Sequence, residues 1–112
     1  MTTQLELLSP VSDKSATIRR QSAWLERCLL DSGEWQCSRQ LLTLSPEPLN
    51  DRELRNLASQ SQWLISGQHG YKHLRHATAE EIHHATAWLE SQAQKMSERA
   101  ATLRRNAHRL LN

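Results

Sequence analysis

The sequence predicts a mainly α-helical fold with a small β-hairpin, arranged as one small domain followed by a long C-terminal helix. Ala, Leu, Arg, Gln and Glu dominate the 112 residues, and only three Gly and three Pro are present, which favours helix. A β-prone run at 63–66 leads into the glycine-bracketed reversal GQHG at 67–70. From Thr78 onward neither Gly nor Pro interrupts the chain, which indicates one continuous helix.

The N-terminal part predicts an arm and a first helix. Residues 1–14 hold few apolar anchors and Pro10 interrupts them, so we expect a loosely ordered arm. The first helix is expected over residues 15–32, with Ser15 as its N-cap and Gly33 as its C-terminal stop. Its apolar stripe comprises Ile18, Ala23, Trp24, Cys28, Leu29 and Leu30. The four Trp, in a chain without Phe, are expected to dominate a small core.

Two further helices are predicted before the hairpin. Trp35 forms a short strand or anchors a turn, and a short helix begins at Ser38 with Leu41 and Leu42 facing inward until the prolines of SPEP end it. The next helix covers 50–61, because Asn50 and Glu53 make a capping-box pair at its start. Its predicted buried stripe is Leu54, Leu57 and Ala58. The residues left facing outward are Arg52, Arg55, Asn56, Ser59 and Gln60.

The hairpin is expected to pair WLIS at 63–66 with a return strand, YKHLRH, at 71–76. Gly67 and Gly70 permit the tight reversal, because glycine tolerates positive φ. Strand alternation predicts Tyr71, His73 and Arg75 on one face, and Lys72 and Leu74 on the other.

The long helix is expected over residues 78–112 and begins at a capping box formed by Thr78 and Glu81. Large apolar residues recur every seven positions, and small residues recur with the same period, offset by four. These two sets form a predicted seam of Ile82, Leu89, Met96, Leu103 and Leu110 with Thr86, Ala93, Ala100 and Ala107. About 45 Å of helix is more than so small a domain covers, so the seam needs the N-terminal helix or a second chain as its partner. An antiparallel homodimer is our expectation, because it sets the basic ends of the helices against Glu80, Glu81 and Glu90.

The distribution of charge indicates a polyanionic partner more than the overall net charge of +2 does. Residues 31–53 carry a net −3, whereas 68–76 carry +2 with three His and no acid, and 95–112 carry +4. Ordinary solvated faces are the alternative interpretation. No apolar stretch approaches the roughly 20 residues of a membrane span, and no signal-peptide core is present, so a cytoplasmic protein is expected. Cys28 and Cys37 are predicted to be free, buried thiols.

Catalytic and metal sites are not predicted. His83 and His84 are adjacent, so on a helix they point about 100° apart and cannot share one ion. No carboxylate or thiol stands at ligand spacing from the other histidines, and neither a phosphate loop nor a nucleophile with a base is present. We therefore expect no enzyme activity, no metal and no cofactor.

The order of these elements resembles a winged helix-turn-helix DNA-binding domain. Residues 38–61 correspond to the helix-turn-helix, 50–61 to its recognition helix and 63–75 to the wing. The string ISGQHGYK after a capped helix is similar to the wing of small phage- and prophage-encoded winged-helix proteins. The resemblance divides the chain into an arm at 1–14, a winged-helix domain at 15–77 and a self-association helix at 78–112.

The resemblance implies a recognition helix in the major groove and a wing on the DNA backbone. Candidate base contacts are Arg52 or Arg55 to guanine and Asn56 to adenine, with Ser59 and Gln60 beside them. Candidate phosphate contacts in the wing are Gln68, His69, Lys72 and Arg75. The sequence thus predicts a phage-type regulator that binds double-stranded DNA. The alternatives are a module that recruits or inhibits a host protein, and a replication-associated protein that binds DNA with little sequence preference.

Overall fold

The computed structural model describes the backbone of residues 2–112 and the side chains of residues 13–112. Its elements, in chain order, are α1 (Thr2–Ser32), α2 (Ser38–Leu44), α3 (Asp51–Gln60), β1 (Leu64–Gly67), β2 (Gly70–His73), a 3₁₀ turn (Leu74–His76) and α4 (Ala79–Leu111). The predicted mainly helical fold with one antiparallel hairpin and a long C-terminal helix is confirmed. The chain divides into two compact units between Ala77 and Thr78.

The first helix is longer than predicted but ends where predicted. Ser15 is not its N-cap, because the helix already includes Asp13, whose carbonyl accepts a hydrogen bond from Thr17 Oγ1 at 2.9 Å. Gly33 adopts φ +72° beyond the last turn, as expected of a C-terminal stop, and its N–H donates to Leu29 O at 3.3 Å. The backbone of the predicted arm at 1–14 is helical from Thr2 onward, whereas Met1 and the side chains of residues 2–12 lie outside the described part.

The core of the first unit is built from leucines rather than tryptophans. Its fully buried side chains are Leu25, Leu29, Leu41 and Leu54. The prediction for α1 was therefore partly wrong, since Ile18 and Ala23 are exposed, and no described side chain before Leu25 is buried. Among the side chains of α1 that the structure describes, those buried in the core lie in its last two turns. Trp63 is exposed, and Trp24 and Trp35 are half-buried, because a side chain as large as Trp is rarely enclosed by so few elements.

The cysteines and the short helix fit the prediction in part. Both cysteines are free, but Cys37 is exposed, and only Cys28 packs against the core. Cys37 ends up at the surface because it immediately precedes α2, where its N–H donates to Gln40 Oε1 at 3.2 Å. Leu41 is buried and Leu42 half-buried, as expected, and α2 ends before Pro46.

Helix α3 has the predicted start and the predicted buried face. Asn50 Oδ1 accepts from the Glu53 N–H at 2.8 Å, and Glu53 Oε1 accepts from the Asn50 N–H at 3.0 Å, which completes the capping box. The buried residues of α3 are Leu54, Leu57 and Ala58, as predicted. Through them α3 packs against α1, α2 and β1.

The hairpin is shorter than predicted, and Gln36, in the segment before α2, pairs with Tyr71 of its second strand. Gly67 faces Gly70 across a loop of Gln68 and His69, and only Gly70 has positive φ, at +116°. Strand β2 ends at His73, so the expectation that Leu74 and Arg75 continue its alternation is wrong. The chain turns there because His73 Nδ1 accepts a hydrogen bond from the Arg75 N–H at 3.0 Å, which caps a 3₁₀ turn.

The second unit is the helix α4, which starts at the predicted capping box. The Glu81 N–H donates to Thr78 Oγ1 at 3.0 Å, and the Thr78 N–H donates to Glu81 Oε1 at 2.9 Å. The helix then runs without interruption to Leu111, and none of its residues is buried. Among the described residues, no helix has an apolar stretch long enough to cross a bilayer.

Candidate nucleic-acid interface

The outer face of α3 collects the five polar residues that the sequence placed there. Positions 52, 55, 56, 59 and 60 follow i, i+3, i+4, i+7 and i+8, so they form one stripe opposite the buried leucines. All of them are exposed: Arg52, Arg55, Asn56, Ser59 and Gln60. Burial of the opposite stripe therefore fixes this polar face towards solvent.

The two arginines of this face keep their guanidinium groups available. Neither Arg52 nor Arg55 forms an ion pair with a described residue, whereas Arg20 pairs with Glu47 and Arg27 pairs with Asp31. Ser59 is less available as a donor, because its Oγ donates to the Asn56 carbonyl at 2.9 Å. Its hydroxyl oxygen can still accept.

The acidic residues at the start of α3 have a local structural role. Asp51 and Glu53 lie in the first turn, where negative charge interacts favourably with the positive end of the helix dipole. The Glu53 carboxylate folds back onto the Asn50 N–H. One of the two carboxylates beside the arginines is thus committed to the helix cap.

Helix α2 supplies Arg39, a cation that is not among the predicted contact residues. Arg39 is exposed and borders an open groove between α2 and α3, which Thr43 and Asp51 also line. The position of Arg39 beside α3 depends on how α2 and α3 pack against each other. Nothing in the local sequence distinguishes it from other surface arginines.

The hairpin presents its predicted polar residues in three different environments. Gln68 and His69 form the exposed loop, and Arg75 is exposed on the 3₁₀ turn. Lys72 is half-buried, with its ammonium 5.5 Å from the centroid of the Trp35 ring, within cation–π range. The aromatic face therefore positions the Lys72 charge.

The base of the hairpin is held tightly by the segment before α2. Gln36 and Tyr71 exchange two backbone hydrogen bonds, both 2.9 Å long. A Cβ built on Gly70 would lie 2.1 Å from the Gln36 carbonyl oxygen, and one built on Gly67 would lie 3.0 Å from Trp35 Cη2. Gly70 therefore leaves no room for a side chain, whereas a side chain at Gly67 would require the Trp35 ring to shift. Trp35, predicted to form a short strand or to anchor a turn, lies against the hairpin at Gly67.

Two of the three histidines at 68–76, His73 and His76, are engaged within the fold. The His73 ring stacks on Trp63 at a centroid distance of 6.3 Å and an interplanar angle of 10°, and the His76 ring meets His73 edge-on at 6.5 Å. His76 Nε2 lies 2.7 Å from the Leu30 carbonyl oxygen, so this nitrogen carries the hydrogen and donates to the end of α1. Within the described residues, no three His, Cys, Asp or Glu side chains come together as a metal-binding group.

Tyr71 links the hairpin electrostatically to α3. Its pKa is raised above the usual value, first because burial disfavours the phenolate, and further because Asp51 is negative, whereas Arg55 opposes the rise. Charges on α3 therefore act directly on a strand residue. The polar face of α3 and the hairpin belong to one compact unit.

Comparison of the chain with protein-family models, with curated proteins and with solved structures returns no match.

Proposed function

We propose that this chain binds double-stranded DNA with a preference for sequence, as a small phage-type transcriptional regulator whose α3 enters the major groove. The observation that carries the proposal is the polar face of α3, with two unpaired arginines and an asparagine exposed along one stripe. Arginine can donate two hydrogen bonds to guanine O6 and N7, and asparagine can pair with adenine N6 and N7. Arg52, Arg55 and Asn56 are the proposed base contacts, with Ser59 and Gln60 along the same groove.

The hairpin and α2 supply the proposed phosphate contacts. Lys72 and Arg75 are the cations of the hairpin, Gln68 and His69 form its tip, and Arg39 extends the positive surface along α2. Such contacts set the register of a protein on the duplex but do not read sequence. The element order of helix, short helix, capped helix and hairpin supports the winged helix-turn-helix interpretation. The Gln36–Tyr71 pairing supports it further, because it anchors the hairpin as a rigid wing requires.

The proposal is tested by measuring affinity for random and genomic duplexes over a series of salt concentrations. Arg55→Ala is expected to weaken binding to a preferred site by about 1–3 kcal/mol and to weaken binding to random DNA much less. Lys72→Ala with Arg75→Ala is expected to weaken binding to all duplexes equally and to lower the salt slope by up to about 2. Arg27→Ala, which removes an exposed cation of α1, serves as the matched control. Equal loss on both DNAs for Arg55→Ala would reduce α3 to a phosphate-binding role.

A second candidate function is a docking module for a host protein. The observation that favours it is the exposure of Trp63, which is 55% accessible although it stacks on His73. Tryptophan is enriched among the residues that dominate protein–protein binding. Absence of DNA binding at low salt would select this function over the first. A steep salt slope without any difference between sequences would select the replication-associated alternative.

A further inference from the structure

Helix α4 carries a line of large apolar side chains that are exposed to water. Leu89 is 59% exposed, Met96 71%, Leu103 52% and Leu110 87%. They recur every seven residues after Ile82, so they lie along one line of the helix for about 42 Å. Isolated exposed apolar residues are normal, but a line of this length marks an interaction surface.

The small residues beside this line decide what can cover it. Thr86, Ala93, Ala100 and Ala107 also recur at seven, each three positions before the next large residue. Together the two sets fill both core positions of a heptad repeat over the whole helix. The surface therefore fits another helix with the same repeat, and a second copy of α4 has it.

An antiparallel pair matches large residues with small ones in every layer. The two-fold axis of this pair passes between Gln94 and Lys95. Each large residue of one helix then faces a small residue of the other. The facing pairs are Ile82 with Ala107, Leu89 with Ala100, Met96 with Ala93, Leu103 with Thr86 and Leu110 with Ala79. All layers then have similar volume, so two helices that coil around each other, as a seven-residue repeat requires, can keep one separation.

A parallel pair in register lacks this match. Leucine would face leucine in one layer and alanine would face alanine in the next, so one fixed separation leaves voids at the alanines or crowds the leucines. Charge opposes it as well. The flanking residues Arg99 and Arg104 face each other across a parallel pair, which places two arginine–arginine contacts at its edges.

The antiparallel arrangement removes this repulsion. Arg99 then lies opposite Gln92 of the second copy and Arg104 opposite His83. The basic C-terminal end of each helix, with Arg105 and Arg109, runs beside the start of the other helix, where Glu80 and Glu81 lie. The two helix dipoles also oppose each other, which is favourable.

We propose that α4 pairs with α4 of a second copy of this chain as an antiparallel two-helix interface, with Leu103 facing Thr86 and Leu89 facing Ala100. The inference stands apart from DNA binding, because it uses only α4. Two copies of the first unit would then be attached at opposite ends of the paired helices.

Mass measurement tests the pairing. Sedimentation equilibrium of the full chain at micromolar concentration should give twice the 12.9 kDa chain mass. Leu103→Asp should give the single-chain mass, whereas Ser91→Asp, the same new side chain on the polar side of α4, should leave the dimer intact. A monomeric wild type, which includes the case of a seam covered by its own chain, or a dimer indifferent to Leu103→Asp, would overturn the proposal.

Disulfide trapping tests the orientation, in a background where Cys28 and Cys37 are replaced by serine. Thr86→Cys and Leu103→Cys are made as separate variants, then oxidised alone and as an equal mixture. The antiparallel pair predicts a covalent dimer in the mixture that joins one variant to the other, and little from either alone. Efficient crosslinking of each variant with itself would indicate a parallel pair and refute the proposed arrangement.

Discussion

Replacing Gly70 by alanine tests how the hairpin is attached to the rest of the domain. Gly70 has φ +116°, and an added Cβ would lie 2.1 Å from the Gln36 carbonyl oxygen, 2.7 Å from its carbon and 2.8 Å from Cys37 Cα. All three atoms belong to the backbone, so no side chain can rotate away. The hairpin must therefore move from Gln36, or the Gly70 backbone must change its conformation.

The magnitude follows from what such a movement breaks. A non-glycine residue at this φ stores about 1–3 kcal/mol of strain. Separation of the strands loses the two backbone hydrogen bonds between Gln36 and Tyr71, each of which contributes about 0.5–1.5 kcal/mol net. We expect Gly70→Ala to lower the free energy of unfolding by about 2–6 kcal/mol, a large part of the stability of a small domain.

Urea denaturation followed by circular dichroism measures the loss, and hydrogen exchange at the Tyr71 amide locates it. Gly67→Ala is the matched control. Its φ is not positive, and its Cβ would meet the Trp35 ring at 3.0 Å, a side chain that can shift. This variant should change stability by less than about 1 kcal/mol, since Gly→Ala also restricts the unfolded chain. Equal effects of the two substitutions, or an unchanged stability of Gly70→Ala, would refute the reasoning.

Three further outcomes are expected. Leu54→Ala should lower the free energy of unfolding by about 2–5 kcal/mol in the same urea assay, because Leu54 is fully buried. The contribution of Tyr71 to stability should stay level up to about pH 10 and fall as pH rises through the raised pKa of Tyr71, because the folded state favours the neutral phenol; Tyr71→Phe should remove this part of the fall in a pH series. In the native protein, a thiol reagent should modify the exposed Cys37 faster than Cys28, whose pKa is raised by burial and by Asp31.

The parts of the fold that the sequence predicted well depend on interactions between residues that are close in the chain. The capping boxes at Asn50 and Thr78 mark helix starts because their hydrogen bonds join residues three apart. The buried and exposed faces of α3 follow from one amphipathic period of about 3.6 residues, because the helix has one clear start at the Asn50 capping box. The turn at Gly67–Gly70 is likewise local, since two glycines at a hairpin spacing restrict the choices of the backbone.

The parts that were missed depend on contacts between distant segments. Ile18 and Leu25 are equally apolar, and which of them is buried depends on how far the partners of α1 extend along it. The end of β2 depends on a histidine nitrogen that accepts a backbone hydrogen bond, which no periodicity reveals. Trp35 and Gly67 meet because the hairpin folds back onto the segment before α2. For the candidate site, residue type and helix face were predictable, whereas the contribution of Arg39 and the placement of the Lys72 charge over Trp35 were not.

The proposed interface and the proposed dimer together set a quantitative expectation for salt dependence. With histidine counted as neutral, the proposed DNA interface of one unit offers the cations Arg39, Arg52, Arg55, Lys72 and Arg75. If each contacts a phosphate or a base edge and releases about 0.9 counterion, log K should fall with log salt at a slope no steeper than about −4.5. If both units of a dimer bind one duplex, the slope of log K against log salt should approach about −9. Leu103→Asp should then halve the slope while the contacts of each unit persist. A slope near −9 that Leu103→Asp leaves unchanged would place further cations, such as the C-terminal arginines of α4, on the DNA.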